Sequence, residues 1–303
     1  MPPTQSSPLA GDIPPLYLPP AIYEEAGRFR RHPAFPEAVR RNAESLLSFY
    51  ERQPLLNHLV SEEARWLTGG FILFLHFTRD PEDPTSGATL ARVQALAASH
   101  RLASPGRIAA LVGLMRLGRF IVQVRAGADR RVRRLEPTPA LMTYSRRHLA
   151  AQLGPLALVS PEDDYCALHE KDPTFMSRYY REAGRLYFAG GRIPELIPAI
   201  RLFMARDAAY MILLRLWLSD PDGAIPPRRP VSLPYGEVGA RFGVSRAHVR
   251  KVMEAAAAAG YLDLQAEGGR AIRVLPPLVD LFEDCLALQL AYLAHCARIA
   301  ARG

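Results

Sequence analysis

The sequence contains the same ordered series of short patterns twice, about 140 residues apart. His-Pro-Ala-Phe at 32–35 corresponds to Asp-Pro-Thr-Phe at 172–175, and an apolar run ending in Asp80-Pro81 corresponds to one ending in Asp220-Pro221. One such match arises readily by chance, but a colinear series does not. Internal repetition constrains a fold strongly, because each copy has to form the same elements. The series therefore predicts two copies of a unit of about 130 residues, the size of one domain.

The later parts of the two copies also correspond to each other, although the offset between them changes slightly, as loops of different length produce. The stretch LASPGRIAALVGLMRLGRFI at 102–121 lies over GVSRAHVRKVMEAAAAAGYL at 243–262, and Pro137 lies over Pro276. A duplicated unit often keeps the pairing of two separate subunits, so we predict an approximate two-fold relation between the copies. The predicted boundaries are 32–160 for the first unit and 161–303 for the second. Residues 1–31 are predicted to be a proline-rich N-terminal arm, since prolines 2, 3, 8, 14, 15, 19 and 20 disfavour a packed element there.

Local signals in the second unit predict a helix, a tight turn, a second helix and a hairpin. Gly243 is placed as the glycine that ends the first helix, and Ser245 as the N-cap of the next. One stripe of that second helix is apolar: Val249, Val252, Met253 and Ala256. Apolar and polar residues then alternate on either side of the turn at 267–270, which predicts a β-hairpin. A long apolar helix is expected after Pro276-Pro277.

The first unit repeats this plan. A helix is predicted from Thr89 to Arg101, and Ser104 is the N-cap of the next helix, with Pro105 at its first position. The apolar stripe is Ile108, Leu111, Val112 and Met115. The hairpin follows at 120–135, and a closing helix starts at 139. The predicted fold class is mainly α with small β-hairpin wings.

SPGRIAALVGLMRLGRFI and SRAHVRKVMEAAAAAGYLDL, each followed by an arginine-containing hairpin, resemble the winged-helix core of MarR-type transcriptional regulators. The resemblance covers about 35–153 and 175–300. It implies a tandem winged helix-turn-helix protein that binds double-stranded DNA and regulates transcription. Such proteins are ordinarily homodimers of one unit, whereas this chain carries two, so the expected form is a monomeric pseudo-dimer. Further dimerisation stays open.

Helix N-termini in these units are the predicted DNA contacts, because an α-helix fits the major groove and its exposed N–H groups bind phosphate. The net charge of +8 favours an anionic partner. The candidates in the second unit are Ser245, Arg246, His248, Arg250 and Lys251 on the helix, with Arg270 and Arg273 on the wing. Those in the first unit are Ser104 and Arg107 on the helix, with Arg125, Arg130, Arg131, Arg133 and Arg134 on the wing. This distribution predicts more base recognition by the second unit and more phosphate or minor-groove contact by the first.

Aromatic residues before each predicted DNA-binding element are candidates for an effector pocket, and the resemblance implies a small aromatic ligand there. The candidates are Phe71, Phe74, Phe77, Tyr210 and Trp217, accompanied by Tyr179 and Tyr180. Ordinary core packing is the alternative for each of them.

Motifs of catalysis are missing from the sequence. It has no phosphate-binding loop, no nucleophile elbow, no zinc-protease motif and no paired Cys-x-x-Cys, so we expect no enzyme activity, no metal site and no cofactor. Three widely spaced cysteines predict a reducing, cytoplasmic location. The apolar runs are too short to cross a bilayer, so no membrane association is expected.

Two other functions remain open at this point. A tandem winged-helix protein can be a protein-interaction module that contacts no DNA, and a plasmid-type replication initiator also pairs two winged helices. The positive charge and the hairpin arginines favour DNA over the interaction module. They do not separate a regulator from an initiator.

Overall fold

The computed structural model describes residues 18–51, 63–83, 86–125 and 132–302. Before residue 160 the elements are α1 (Pro20–Arg30), α2 (Phe35–Glu51), α3 (Glu63–Phe77), α4 (Leu90–Ser99), α5 (Pro105–Leu117), β1 (Ile121–Arg125), β2 (Arg133–Pro137) and α6 (Pro139–Val159). After it they are α7 (Tyr165–Lys171), α8 (Phe175–Phe188), α9 (Ile193–Leu196), α10 (Arg201–Met204), α11 (Ala209–Trp217), α12 (Tyr235–Phe242), α13 (Arg246–Ala258), β3 (Leu262–Ala266), β4 (Ala271–Val274) and α14 (Pro276–Ala301). Short 3₁₀ turns lie at Pro198–Ile200 and Glu267–Gly269.

The described chain is mainly helical and contains two separate antiparallel hairpins, which confirms the predicted class of helices with small β-hairpins. In the first hairpin β1 pairs with β2, from Ile121 opposite Pro137 to Arg125 opposite Arg133. In the second, β3 pairs with β4 and the register shifts between Leu264 and Ala266. Each hairpin also receives one bridge from an upstream residue, Thr89 in the first and Val231 in the second.

The turn between α12 and α13 forms as the local signals predict. Gly243 has a φ of 71°, a conformation in which glycine has no side chain to clash, and it ends α12. The Ser245 hydroxyl accepts a hydrogen bond from the His248 backbone N–H at 3.1 Å, which caps α13. The predicted apolar stripe of α13 is fully buried.

The corresponding turn before α5 has the same cap. The Ser104 hydroxyl accepts a hydrogen bond from the Arg107 backbone N–H at 3.3 Å, and Pro105 begins the helix. All four residues of its predicted apolar stripe are buried. The order of two helices, a hairpin and a long helix therefore occurs twice in the described chain: α4 to α6 and α12 to α14.

The N-terminal helix α1 corrects the prediction of an arm over 1–31. Residues 1–17 lie outside the described residues, but from Leu18 onward the chain is packed. Ile22 and Phe29 are buried, and α1 lies along α14. Two ion pairs join the helices: Arg30 of α1 pairs with Asp280 of α14, and Glu25 of α1 pairs with Arg298 of α14. The high proline content predicted an unpacked segment. That prediction failed because Pro20 stands at the first helical position, where its missing N–H costs nothing.

Helices from the first half of the sequence pack against helices from the second half. α1 packs on α14, α2 on α11, α3 on α8 and α6 on α7. Within the halves, α2 packs on α6 and α8 packs on α14. Val39 and Leu149 share a core cluster with Trp217 and Phe282, so one core joins residues before and after the predicted boundary at 160. A smaller core lies under the first hairpin.

Candidate nucleic-acid interface and ligand cavity

Helix α13 divides cleanly into a buried and a charged exposed face. Arg246, Arg250 and Lys251 are exposed, while the stripe through Val249 and Met253 is buried. Arg250 lies 3.7 Å from Glu254, but both side chains are more than half exposed, so this ion pair is weak. Three cationic side chains therefore extend from the first turns of a serine-capped helix.

His248 lies differently from its three cationic neighbours. Its Nε2 is 2.8 Å from the backbone carbonyl oxygen of Asp207, and the residue is only partly exposed. This contact holds the ring against the segment that precedes α11. His248 is therefore held more closely to the protein than Arg246 and Arg250, and its contact with DNA stays a prediction.

The second hairpin continues the positive surface of α13. Arg270 and Arg273 are both exposed, and the Arg270 Nε donates a hydrogen bond to the Glu267 carbonyl at 3.2 Å. Arg246 lies beside the hairpin turn, since its guanidinium would be 3.8 Å from a Cβ at Gly268. The helix N-terminus and the hairpin turn are thus neighbours.

Helix α5 has a much less polar exposed face. Arg107 stands at its N-terminus, but Leu114 and Leu117 are exposed further along, Leu117 to 82%. Val122 of β1 is exposed next in the chain. The residues at the corresponding positions of the second unit are Ala255, Ala258 and Asp263. Apart from Arg107 near the N-terminus and Arg116 in the last turn, the exposed face of α5 consists of small and apolar residues, so it offers few donors to base edges.

The first hairpin retains only part of its predicted arginine set as exposed cations. Arg125 and Arg133 are exposed, whereas Arg130 and Arg131 lie outside the described residues. Arg134 is paired with Glu136, which also accepts from Arg79 at 3.4 Å and lies 2.9 Å from His76. Glu136 holds Arg134 close to the protein, but one carboxylate shared by two guanidinium groups leaves the cluster positively charged, so a phosphate contact by Arg134 stays a prediction.

A cavity of about 310 Å³ lies where α3, α6, α8 and α14 meet. Three predicted pocket residues line it, Phe71, Phe74 and Tyr210, as do Tyr179 and Tyr180. The other two predicted residues are elsewhere. Phe77 packs on Tyr180 at a ring-centroid distance of 6.2 Å, and Trp217 is fully buried against Phe282 at 4.4 Å.

Polar residues of α6 that sequence reasoning missed form one wall of the cavity. Ser145, His148 and Gln152 fall on the buried stripe of α6, and Tyr144 stacks on the His148 ring at 5.9 Å. Trp66 lies 6.3 Å from the same ring and is 44% exposed. Polar residues at positions where a helix faces the core are the signal that would have located this wall.

The electrostatics of this wall follow from burial. Burial lowers the pKa of His148 to about 4, so its imidazole is neutral at pH 7. The Gln152 Nε2 is 3.5 Å from both ring nitrogens, at the long limit of a hydrogen bond. The wall is therefore polar and uncharged.

Comparison with known proteins gives no match: no family model, curated protein or solved structure is significantly similar to this chain. Among the described residues, no group of three or more His, Cys, Asp or Glu side chains is arranged to hold a metal ion. None of the described helices combines the length and the apolar character needed to cross a membrane.

Proposed function

We propose that this chain is a sequence-specific, double-stranded DNA-binding transcriptional regulator of MarR-like type, built from two winged helix-turn-helix units related by a pseudo-two-fold axis. The proposal depends above all on α13. Its cap, its buried stripe and its exposed Arg246, Arg250 and Lys251 present a positively charged helix N-terminus beside an arginine-bearing hairpin. Arginine can donate two hydrogen bonds to guanine O6 and N7 in the major groove.

The reciprocal packing of the two halves supports the pseudo-two-fold part of the proposal. Two contacts between the halves are counterparts under the repeat, since α3 lies on α8 and α11 lies on α2. The same hydrogen bond also ends both hairpins: the Thr138 N–H donates to the Phe120 carbonyl at 2.9 Å, and the Leu275 N–H to the Tyr261 carbonyl at 3.0 Å. Paired units in one chain would contact half-sites about one helical turn apart.

A small aromatic effector in the cavity would act on the DNA-facing elements directly. Met115 is on the buried face of α5 and also lines the cavity. A molecule in the cavity therefore touches the helix whose opposite face would meet DNA. It shifts the protein between two arrangements to the extent that it binds one of them more tightly.

Selection of bound duplexes from a random pool tests the proposal. We expect enrichment of a site with two dissimilar halves. Arg246→Ala and Arg250→Ala should each weaken binding to that site by about 1–3 kcal/mol and relax the base preference at one position. Arg31→Ala removes an exposed charge from α1's C-terminal end and is the matched control, which should leave base preference unchanged. No enrichment of any sequence would contradict the proposal.

We expect the first unit to contribute phosphate contacts rather than base recognition. Arg133→Ala should reduce the slope of log K against log salt by about 0.9 without changing base preference, because its hairpin contacts phosphate. If affinity and slope both stay the same, the unequal roles of the two units are contradicted.

The exposed Leu114, Leu117 and Val122 favour a second candidate function for the first unit, a protein-binding module. Binding to DNA that survives removal of every exposed arginine on the first hairpin would favour that function.

A further inference from the structure

The outer face of α5 carries an exposed line of small and apolar residues, here called the α5 stripe. Gly106, Ala110, Gly113 and Leu117 recur at helical spacing, so they lie along one side of the helix, and all four are exposed. Leu114 borders this line and is 45% exposed. The stripe is about 17 Å long at 1.5 Å per residue. It is therefore long enough to contact about three turns of another helix.

The second unit has the same helix with the opposite kind of outer face. At two positions where α5 has alanine, α13 has Arg250 and Lys251, and at two positions where α5 has leucine, α13 has Ala255 and Ala258. Both helices keep a buried apolar stripe on the inner side, so the exchange affects the outer face. Within one duplicated unit, donors suited to DNA stand against apolar side chains. The outer face of α5 is thus suited to a less polar partner than that of α13.

The surroundings of the α5 stripe are positively charged. Residues 84–128 contain six arginines, no lysine and no acidic residue. Arg107 is exposed near one end of the stripe, and Arg116 and Arg119 are exposed near the other. The elements packed on α5 are α3, α4 and β1, in which Glu63 is the only acidic residue. A partner with complementary charge is therefore negative.

The shape of the α5 stripe suits an α-helix. A Cβ at Gly106 or Gly113 would meet nothing within 4 Å, so the surface there is open and low. Leu114 and Leu117 project beside it towards the C-terminal end of α5. A partner helix can place its apolar side chains over the glycines and pack against the two leucines, as ridges of one helix fit the grooves of another.

Three other occupants fit this face less well. In a symmetric dimer the arginines around one α5 would face those of the other, and contact between like charges is unfavourable. The major groove offers hydrogen-bonding groups that glycine, alanine and leucine side chains cannot pair with, apart from the thymine methyl group. Insertion into an anionic lipid surface depends on the apolar area buried, and two leucines supply little.

We infer that the α5 stripe is the docking surface for an amphipathic α-helix of another protein, with an apolar side flanked by aspartate or glutamate. The inference rests on the second candidate function, a protein-binding first unit, and it specifies the chemistry of that unit's partner. The contacts proposed for α13 are unaffected. One chain then joins a DNA site, held by its second unit, to an acidic protein helix, held by its first.

A displayed library of helical peptides, selected against the full chain without DNA, tests the chemistry of the partner. Each peptide has about 18 residues, or about 27 Å as a helix, which spans the stripe. Leucine occupies positions i, i+3, i+4 and i+7, and glutamate, lysine or glutamine is chosen at random elsewhere. We expect enriched peptides to carry net negative charge. Enrichment of neutral or positive peptides, or of none, would overturn the inference.

Variants of the full chain locate the binding by fluorescence anisotropy with an enriched peptide. Leu117→Gln should weaken it at least about fivefold, because a leucine contact is lost. Leu168→Gln is the matched control, an exposed leucine on α7 whose replacement should change nothing. Arg116→Ala should weaken binding and its salt dependence, whereas Arg31→Ala, at an exposed arginine of α1, should not. Equal effects within either pair would show that binding does not use α5, against the inference.

The other occupants are separate outcomes for Leu117→Gln. If it weakens duplex binding as much as peptide binding, dissociates a dimer in sedimentation velocity, or abolishes co-sedimentation with phosphatidylserine vesicles, the face belongs to DNA, to a second copy or to lipid, and the inference is wrong. Neutral or positive peptides that bind through Leu117 would leave the protein-binding function standing and contradict only the acidic partner. That outcome separates failure of the inference from failure of the function on which it rests.

Discussion

At the scale of single residues, His148 gives the fold a dependence on pH. Its pKa in the folded protein is about 4 and lies below the ordinary value of 6.5, because the ring is buried. The unfolded chain therefore binds a proton that the folded chain does not bind, and stability is lost as pH falls from about 6.5 towards 4.

We expect the free energy of unfolding to fall between pH 7.5 and pH 5 by about 2 kcal/mol more in the native protein than in His148→Gln. Burial also lowers the pKa of His100 and His169, so the comparison with the variant isolates His148 from them. Urea unfolding at the two pH values measures the difference. Equal losses in both proteins would show that His148 is solvated.

A second prediction at this scale concerns stability and follows from Ser245, whose hydroxyl caps α13. Ser245→Ala removes an acceptor from the His248 N–H and should lower the free energy of unfolding by about 1 kcal/mol. Thermal unfolding monitored by circular dichroism measures this. Ser232→Ala, at an exposed serine before α12, is the control and should be neutral. An equal effect of the two substitutions would argue against the cap.

At the scale of elements, the α12–α13 turn depends on a close approach at Gly239. A Cβ there would lie 2.6 Å from the Val244 carbonyl oxygen, so the backbone would have to move. Gly239→Ala should destabilise by about 1–3 kcal/mol and weaken DNA binding with it. Gly236→Ala in the same helix meets nothing within 4 Å, and it should be neutral or slightly stabilising in the same unfolding assay. Comparable losses from both variants would contradict the close packing of this turn.

The sequence predicted the elements from α12 to β4 well because their signals are local. Ser245, Gly243 and the apolar stripe of α13 act within a few residues of the structure they determine. Helix α1 was missed for the opposite reason: its burial depends on α14, about 250 positions later, and nothing near Pro20 reveals that partner.

The candidate site also contains parts that local sequence signals predict and parts that depend on contacts between residues distant in the sequence. The exposure of Arg246, Arg250 and Lys251 follows from the periodicity of their own helix. The contact of His248 with Asp207 and the cluster around Glu136 join residues far apart in the sequence, so no local pattern indicates them. The cavity is lined by residues of α3, α6, α8 and α14, which are far apart in the sequence, so no local pattern indicates it either.

At the scale of the whole molecule, the crossed packing predicts that neither half is stable alone. A fragment ending at Ser160 loses α8 and α14, and a fragment beginning at Pro161 loses the helices that cover α11 and α14. We expect the two fragments to co-purify when expressed together with a tag on one, and to aggregate when expressed singly, because large apolar surfaces would be exposed. Gel filtration and tag pull-down test this. Two well-folded monomeric fragments would contradict it.

The contact of α1 with α14 also sets an order of events during synthesis. Helix α1 is synthesised well before α14, yet α14 provides the surface that shelters Ile22 and Phe29. At about 5–20 residues per second, those side chains wait on the order of ten seconds or more before their partner exists. The nascent α1 is therefore a natural substrate for chaperones during translation, and it docks only after α14 has been synthesised.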